Sequence, residues 1–158
     1  MSTVQADHEW FMRLAMVEAA MCAAAGGGPY GAIVVHAGIV IGRSGARKDS
    51  RKNPTGHAEI LAIQEAARYL ETADMMGCTM YTNRGSCAMC SATMVSNNLS
   101  LVVRGIRPSD GDQSMLDQLI ALLDRSEQTR VISGVLYEET ARQFKVLGEE
   151  SQSRQPTR

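Results

Sequence analysis

The chain has 158 residues, of which 44% are hydrophobic and 21% are charged, and its formal net charge is −1. This length and composition are ordinary for one globular domain with a continuous core. The balanced charge excludes a large basic excess, so we expect no nucleic-acid partner. No apolar run approaches the roughly 20 residues that span a bilayer, so we expect no membrane association. The polar first residues lack the apolar segment of a signal peptide, which favours a cytoplasmic protein.

Helical and strand patterns alternate along the chain. Apolar residues at helical spacing predict a first helix over residues 9–25, and a glycine-rich segment ends it. The pattern continues with a hairpin over 30–35 and 38–42, strands over 77–82, 99–104 and 129–132, and helices over 57–70, 87–95, 114–123 and 137–147. This alternation predicts a single domain over residues 1–148 with a three-layer α/β/α sandwich and a five-stranded mixed sheet. Residues 149–158 are polar and are predicted to form a flexible tail.

Two short segments carry candidate metal ligands, His57-Ala58-Glu59 and Cys87-Ala88-Met89-Cys90. Zinc takes nitrogen and sulfur ligands, and a catalytic zinc site keeps one position open for water. We therefore predict that His57, Cys87 and Cys90 bind zinc and that Glu59 transfers protons. A closed structural site would require a fourth cysteine or histidine near these segments, and the sequence has none there.

Both segments lie at predicted helix starts, and this position affects the protonation state of the cysteine ligands. We expect Thr55 or Gly56 to cap the first of these helices and Ser86 to cap the second. His57, Glu59 and both cysteines would then occupy first helical turns. The partial positive charge at a helix amino terminus favours the thiolate form of cysteine, which is the form that binds zinc.

These segments resemble the cytidine-deaminase superfamily, specifically the branch of tRNA adenosine deaminases, bacterial guanine deaminases and fungal cytosine deaminase. The resemblance covers residues 7–147 and is carried by residues 10–15, 29–32, 54–60, 87–90 and 133–139. Ser86 departs from the family pattern, in which proline precedes the first cysteine. The resemblance implies the three-layer fold, a zinc ion, hydrolytic deamination with Glu59 as the proton carrier, and a homodimer that pairs near the zinc-binding helices.

The predicted substrate pocket departs from the resembled family at two places. Family members commonly carry a substrate-binding asparagine about eleven residues before the zinc-binding histidine, and Ala46 stands there in this chain. The loop before Cys87 contains Arg84, Gly85 and Ser86, which would form a roomier pocket wall with an added cation. Arg84 either recognises a carbonyl or acidic group of an unusual heterocycle or points into solvent.

Other candidate substrate contacts have two interpretations each. Tyr30 either stacks on the substrate or packs into the core at a strand start, and Phe144 either closes the pocket or packs into the core. The basic run over residues 43–52 is either a solvated loop or an electropositive lip for an anionic substrate.

The favoured function is a zinc-dependent deaminase that releases ammonia from a small heterocycle, such as a guanine-like or cytosine-like base. One alternative is a tRNA adenosine deaminase, which the overall resemblance favours. The other is a non-catalytic partner subunit with a deaminase fold. The presence of all three ligands together with Glu59 argues against that last alternative.

Overall fold

The computed structural model describes residues 2–44, 52–106 and 115–153, and of residues 151–153 the backbone only. Along these residues the elements are α1 (Thr3–Ala24), β1 (Ala32–His36), β2 (Ile39–Arg43), α2 (Ala58–Leu70), β3 (Cys78–Thr82), α3 (Ala88–Ser96), β4 (Leu101–Arg104), α4 (Met115–Leu122), β5 (Arg130–Ser133) and α5 (Tyr137–Ser153). The strands form one five-stranded sheet in the order β2-β1-β3-β4-β5. Strand β1 is antiparallel to β2 and β3, whereas β3, β4 and β5 are parallel. The predicted mixed sheet is confirmed.

The sheet separates two apolar cores. On one face α2, α3 and α4 bury Ile60, Met94 and Leu116 in a single cluster. On the other face α1 packs against the sheet, and α5 joins α1 through a hydrogen bond of 2.8 Å from Gln143 Nε2 to the Met16 carbonyl oxygen. Two helical layers around one sheet confirm the predicted three-layer sandwich.

Helix α1 approaches β1 most closely at small residues. Ala15 and Ala19 are fully buried, whereas Trp10, which belongs to the apolar spacing that predicts this helix, is 62% exposed. The close approach of β1 explains the choice of face. A Cβ atom on Gly31 would lie 2.1 Å from the Ala15 carbonyl oxygen and 2.4 Å from the Ala19 nitrogen. Only small residues allow such a distance, so Ala15 and Ala19 face Gly31, while the larger Met12 of α1 packs beside them on the sheet.

Three bounds differ from the sequence-based prediction. Helix α1 begins at Thr3 and not at residue 9, and the hairpin turn is shifted by one residue. Ala37 and Gly38 form the turn with φ of 49° and 77°, so His36 belongs to β1 and does not lie in the turn. Helix α5 continues to Ser153, past residue 149, where the sequence predicts the start of a tail. Across the described ranges, no helix has both the length and the apolar content needed to cross a membrane.

Buried Tyr81 of β3 gives the fold a predictable response to alkaline pH. Its side chain is 3% exposed, and burial, with a smaller contribution from Asp7, raises its pKa from 10.0 to about 12. Its stabilising effect is therefore complete below pH 10 and is lost as pH rises toward 12. Over this window we expect the free energy of unfolding to fall by about 2 kcal/mol more in the wild type than in Tyr81→Phe, as measured by urea titration. An equal fall in both proteins would contradict this role of Tyr81.

Candidate active site

The helices that carry the predicted metal ligands begin close together, and each begins at a ligand. His57 is the N-cap of α2 and Cys87 is the N-cap of α3, with extended backbone at φ, ψ of −73°, 152° and −67°, 171°. Neither side chain makes a capping hydrogen bond, which leaves the imidazole and the thiol available for a metal.

The predicted caps at Thr55, Gly56 and Ser86 are therefore wrong, as is the placement of His57 and Cys87 inside first helical turns. Because the backbone is still extended at His57 and Cys87, each helix begins one or two residues later than the usual capping preferences indicate. The Ser86 hydroxyl instead lies 3.9 Å from Met94 Sδ. Cys90 and Glu59 do occupy first turns, as predicted.

The three predicted ligands lie together. His57 Nδ1 is 3.4 Å from Cys87 Sγ and 3.6 Å from Cys90 Sγ, and the possible ligand atoms all lie within 4.8 Å of one another. Donors at zinc-ligand distances in a tetrahedron are separated by about 3.5 Å, so the group has the right size for zinc. Among the described residues no further histidine, cysteine or carboxylate belongs to this group. Three donors leave one tetrahedral position for water, as catalytic zinc requires.

The electrostatics of Cys90 also fit a cation. Burial, followed by the charge of the Glu59 carboxylate, raises the pKa of the Cys90 thiol, so the protein atoms alone favour the protonated form. A divalent cation reverses this preference because it stabilises the thiolate directly. A zinc ion bound to the two sulfurs and the imidazole would therefore keep both thiols deprotonated.

Glu59 lies beside the ligand group and is shielded from water. It is 5% exposed, and Cys90 Sγ donates to its Oε2 over 3.4 Å. Burial raises the pKa of the Glu59 carboxyl, while its own backbone N–H, Cys90, His57 and Ser86 act in the opposite direction. A carboxyl group whose pKa moves toward neutrality can both accept and return a proton, which is what acid–base catalysis needs.

Two cavities of about 330 Å³ each adjoin at His57 and Tyr30, which line both. The first, here called the Glu59 cavity, is also lined by Glu59, Ser44 and Leu61. The second, here called the Arg84 cavity, is lined in addition by Arg84, Gly85, Ser86, Cys87 and Phe144. The ligand group thus has a carboxylate on one side and a guanidinium on the other.

The Arg84 cavity brings together five of the six predicted substrate contacts, namely Tyr30, Arg84, Gly85, Ser86 and Phe144. The sixth, Ala46, lies outside the described residues. Tyr30 is 48% exposed and is not a core residue. The rings of Tyr30 and Phe144 meet edge to face at 5.6 Å, and the Arg84 guanidinium carbon lies 4.1 Å from the Phe144 ring centre.

Asn83 positions the shared wall of the two cavities and was not identified from the sequence. It is fully buried. Its Oδ1 accepts from the Gly31 nitrogen and its Nδ2 donates to the Pro29 carbonyl oxygen, each over 3.0 Å. These bonds fix the backbone on both sides of Tyr30. The available signal was an asparagine directly after a buried strand.

Ser44 is a second residue that the sequence did not identify. It is 3% exposed at the end of β2, it lines the Glu59 cavity, and its hydroxyl has no hydrogen-bond partner in the part of the chain that the structure describes. The signal was its position two residues before Ala46, where the resembled family carries its substrate-binding asparagine.

Comparison with known proteins identifies deaminases. The model of the MafB19-like deaminase family matches residues 6–139. A tRNA-specific adenosine deaminase of Bacillus subtilis (strain 168) is 33% identical over 132 residues, which cover 83% of this chain and 82% of that protein. Another, of Aquifex aeolicus (strain VF5), is 38% identical over 60% of this chain and 63% of its own length. A guanine deaminase of Bacillus subtilis (strain 168) is 35% identical over 85 residues, or 53% of this chain and 54% of that protein.

A solved structure agrees with these matches. It comes from biochemical and structural studies of A-to-I editing by tRNA:A34 deaminases at the wobble position. Its TM-score with this chain is 0.72 and its sequence identity is 29%. The similar region covers 84% of this chain and 97% of that chain. The expected absence of a nucleic-acid partner is wrong, because relatives similar along most of the chain are named for action on tRNA. Net charge averages the whole surface and does not describe a local binding site.

Proposed function

Because the chain belongs to the MafB19-like deaminase family, within the cytidine-deaminase superfamily, we propose that it is a zinc-dependent hydrolytic deaminase of adenosine in tRNA. The chemical part rests on one observation, the ligand atoms of His57, Cys87 and Cys90 within 4.8 Å of one another beside the buried carboxylate of Glu59. The substrate part is supported by the Bacillus subtilis tRNA-specific adenosine deaminase, whose similarity extends over 83% of this chain.

The residues of this site have separate tasks in the proposed reaction. His57, Cys87 and Cys90 would hold the zinc ion. Zinc bound there would supply a water molecule that loses its proton near neutral pH. Glu59 accepts that proton and passes it to a ring nitrogen, while the remaining hydroxide adds to the carbon that bears the amino group. Glu59 then transfers the second proton, from the added hydroxyl to the amine, so that the C–N bond breaks, a carbonyl forms, and ammonia leaves with water consumed. The burial of Glu59 keeps bulk water from competing for the proton.

A free aminated purine such as guanine is the second candidate substrate. The specific observation in its favour is the guanine deaminase of Bacillus subtilis, which is 35% identical over 85 residues of this chain.

A substrate comparison tests the proposal. Zinc-loaded protein is incubated with tRNA, with free adenosine and with free guanine, while ammonia release and inosine formation in the tRNA are measured. We expect ammonia and inosine from tRNA at a rate above that from either small molecule. A preference for guanine would replace the proposal with the second candidate. Ammonia release from none of the three would contradict both and leave the non-catalytic subunit.

A second copy of the chain is the proposed protein partner. The apolar groove between α2 and α3 has a volume of about 420 Å³ and is lined by Ile60, Ile63, Ala67, Met89 and Thr93, among others. In the superfamily, pairing commonly uses helices near the zinc-binding ones, and this groove lies between those two helices.

Introducing a charge into this groove should separate the copies. We expect Thr93→Arg to be a monomer by light scattering where the wild type is a dimer, because the groove would have to bury an unpaired cation. The exchange Thr3→Arg at the exposed start of α1 is the matched control and should remain dimeric. A monomeric wild type at high concentration, or a dimeric Thr93→Arg variant, would contradict the pairing.

A further inference from the structure

We propose that the Arg84 cavity is a phosphate subsite in which Arg84 binds a phosphate of the nucleotide whose base enters the Glu59 cavity. This inference rests on the proposed function as a deaminase of adenosine in RNA. It goes further by naming the group of that substrate, a phosphate, that the loop before α3 recognises. It is carried by the contacts of Arg84, by its lack of an acidic partner, and by the charge of the two adjoining cavities.

Aromatic contacts hold Arg84 in the cavity. Its guanidinium carbon lies 4.1 Å from the Phe144 ring centre, and that ring meets Tyr30 edge to face at 5.6 Å. A guanidinium that stacks on an aromatic ring uses its flat face for the contact and keeps its N–H donors at the edge. Arg84 is therefore fixed in position without using the donors that bind a phosphate.

Arg84 is also not neutralised by a carboxylate. Other arginines of the fold pair with acids at 2.7 to 3.2 Å, namely Arg43 with Glu18, Arg104 with Asp117, and Arg13 with Glu139. Within residues 2–44, 52–106 and 115–150, Arg84 has no such ion pair. A cation in a cavity without a counterion attracts an anion, and a planar guanidinium suits the oxygens of a phosphate.

The start of α3 adds positive potential to the same cavity. Cys87 is the N-cap of α3, no side chain caps this helix, and Gly85 and Ser86 line the cavity just before it. Free amides at a helix amino terminus favour an anion nearby. Arg84 lies on the same wall of the cavity. A phosphate bound there would therefore have two positive neighbours, the guanidinium and the start of α3.

The adjoining cavity has the opposite character. Glu59 lines it, and a carboxylate repels a phosphate while it suits the proton transfers of a heterocyclic base. Because His57 and Tyr30 line both cavities, a nucleotide can place its base on the Glu59 side and its phosphate on the Arg84 side. The charge difference thus sets one orientation of the substrate.

Salt dependence of RNA binding tests the subsite without requiring turnover. Fluorescence anisotropy with a tRNA anticodon stem-loop is measured at several salt concentrations for Glu59→Gln protein, alone and combined with Arg84→Met. We expect Arg84→Met to reduce the slope of log affinity against log salt by about 1, the value for one lost phosphate contact. The matched control is Arg68→Met, which removes an equal charge from the exposed far end of α2 and should leave the slope unchanged.

Turnover with substrates that differ in phosphate content separates binding from a structural role. We expect Arg84→Met to raise KM for the stem-loop by a larger factor than KM for free adenosine, which carries no phosphate, and Arg84→Lys to restore part of the loss because it keeps the charge. An unchanged salt slope, or an equal loss with free adenosine, would overturn the subsite.

Two further outcomes distinguish the subsite from the proposed function. An effect on adenosine monophosphate but not on the stem-loop would support a phosphate subsite and overturn RNA as its source. A changed salt slope in a protein that deaminates none of these substrates would support the subsite while contradicting the proposed activity.

Discussion

Replacement of Glu59 by glutamine is expected to lower the deamination rate by about 10²–10⁴-fold, the usual contribution of a positioned acid–base group. Glutamine has nearly the same size and can still contact Cys90, but it cannot accept a proton from water. Because the carboxylate is not among the three grouped ligands, zinc content should be unchanged. Ammonia release and metal analysis of the same preparation measure both quantities.

The matched control for this exchange is Glu71→Gln. Glu71 is exposed and lies at the opposite end of α2, where it is the C-cap. This variant should keep the wild-type rate and metal content. A Glu59→Gln enzyme with wild-type turnover would remove Glu59 from the reaction, and one that had lost its zinc would show that the carboxylate supports the metal instead.

Replacement of Cys87 by serine is expected to reduce bound zinc from about one ion per chain to less than about a tenth, and turnover with it. A serine hydroxyl does not ionise near neutral pH, whereas zinc requires a deprotonated ligand. The fold should persist because Cys87 is exposed and is the N-cap of α3, a position that serine prefers. Zinc content and circular dichroism of the purified variant measure the two effects separately.

The control for this exchange uses a cysteine away from the site. Cys78 is fully buried in β3, with its Sγ 3.7 Å from His36 Nδ1. Cys78→Ser should keep its zinc even if it lowers stability, because it changes the same atom at a different place. Full zinc and activity in Cys87→Ser would exclude Cys87 from the ligand set.

The grouping of His57, Cys87 and Cys90 could be predicted from the sequence because its information is local. The spacing of His57, Cys87 and Cys90 and their place at helix starts are visible in two short segments. The exact caps were not predictable by preference rules, since those rules describe side chains that bond to the helix backbone. His57 and Cys87 occupy the N-cap positions without making such a bond.

The alternation of helices and strands predicted the layers, but the order of strands in the sheet depends on contacts between distant segments. The same limit applies to the pocket. Arg84, in the loop after β3, contacts Phe144 of α5. Asn83 in the same loop bonds to Pro29 and Gly31, which lie more than fifty residues earlier. The exposed side of α1 was also not predictable, because Gly31 decides which face of that helix approaches the sheet.

The anchoring of Asn83 has a consequence for attempts to redesign substrate selectivity. Its side chain bonds to the Gly31 nitrogen and the Pro29 carbonyl oxygen, which holds one end of residues 84–86, while Cys87 holds the other end as the N-cap of α3. Inserting or deleting one residue there should move Cys87 relative to His57 while the bonds of Asn83 stay in place. Selectivity in this scaffold should therefore be altered by exchanging side chains at residues 84–86 and not by changing the length of that loop.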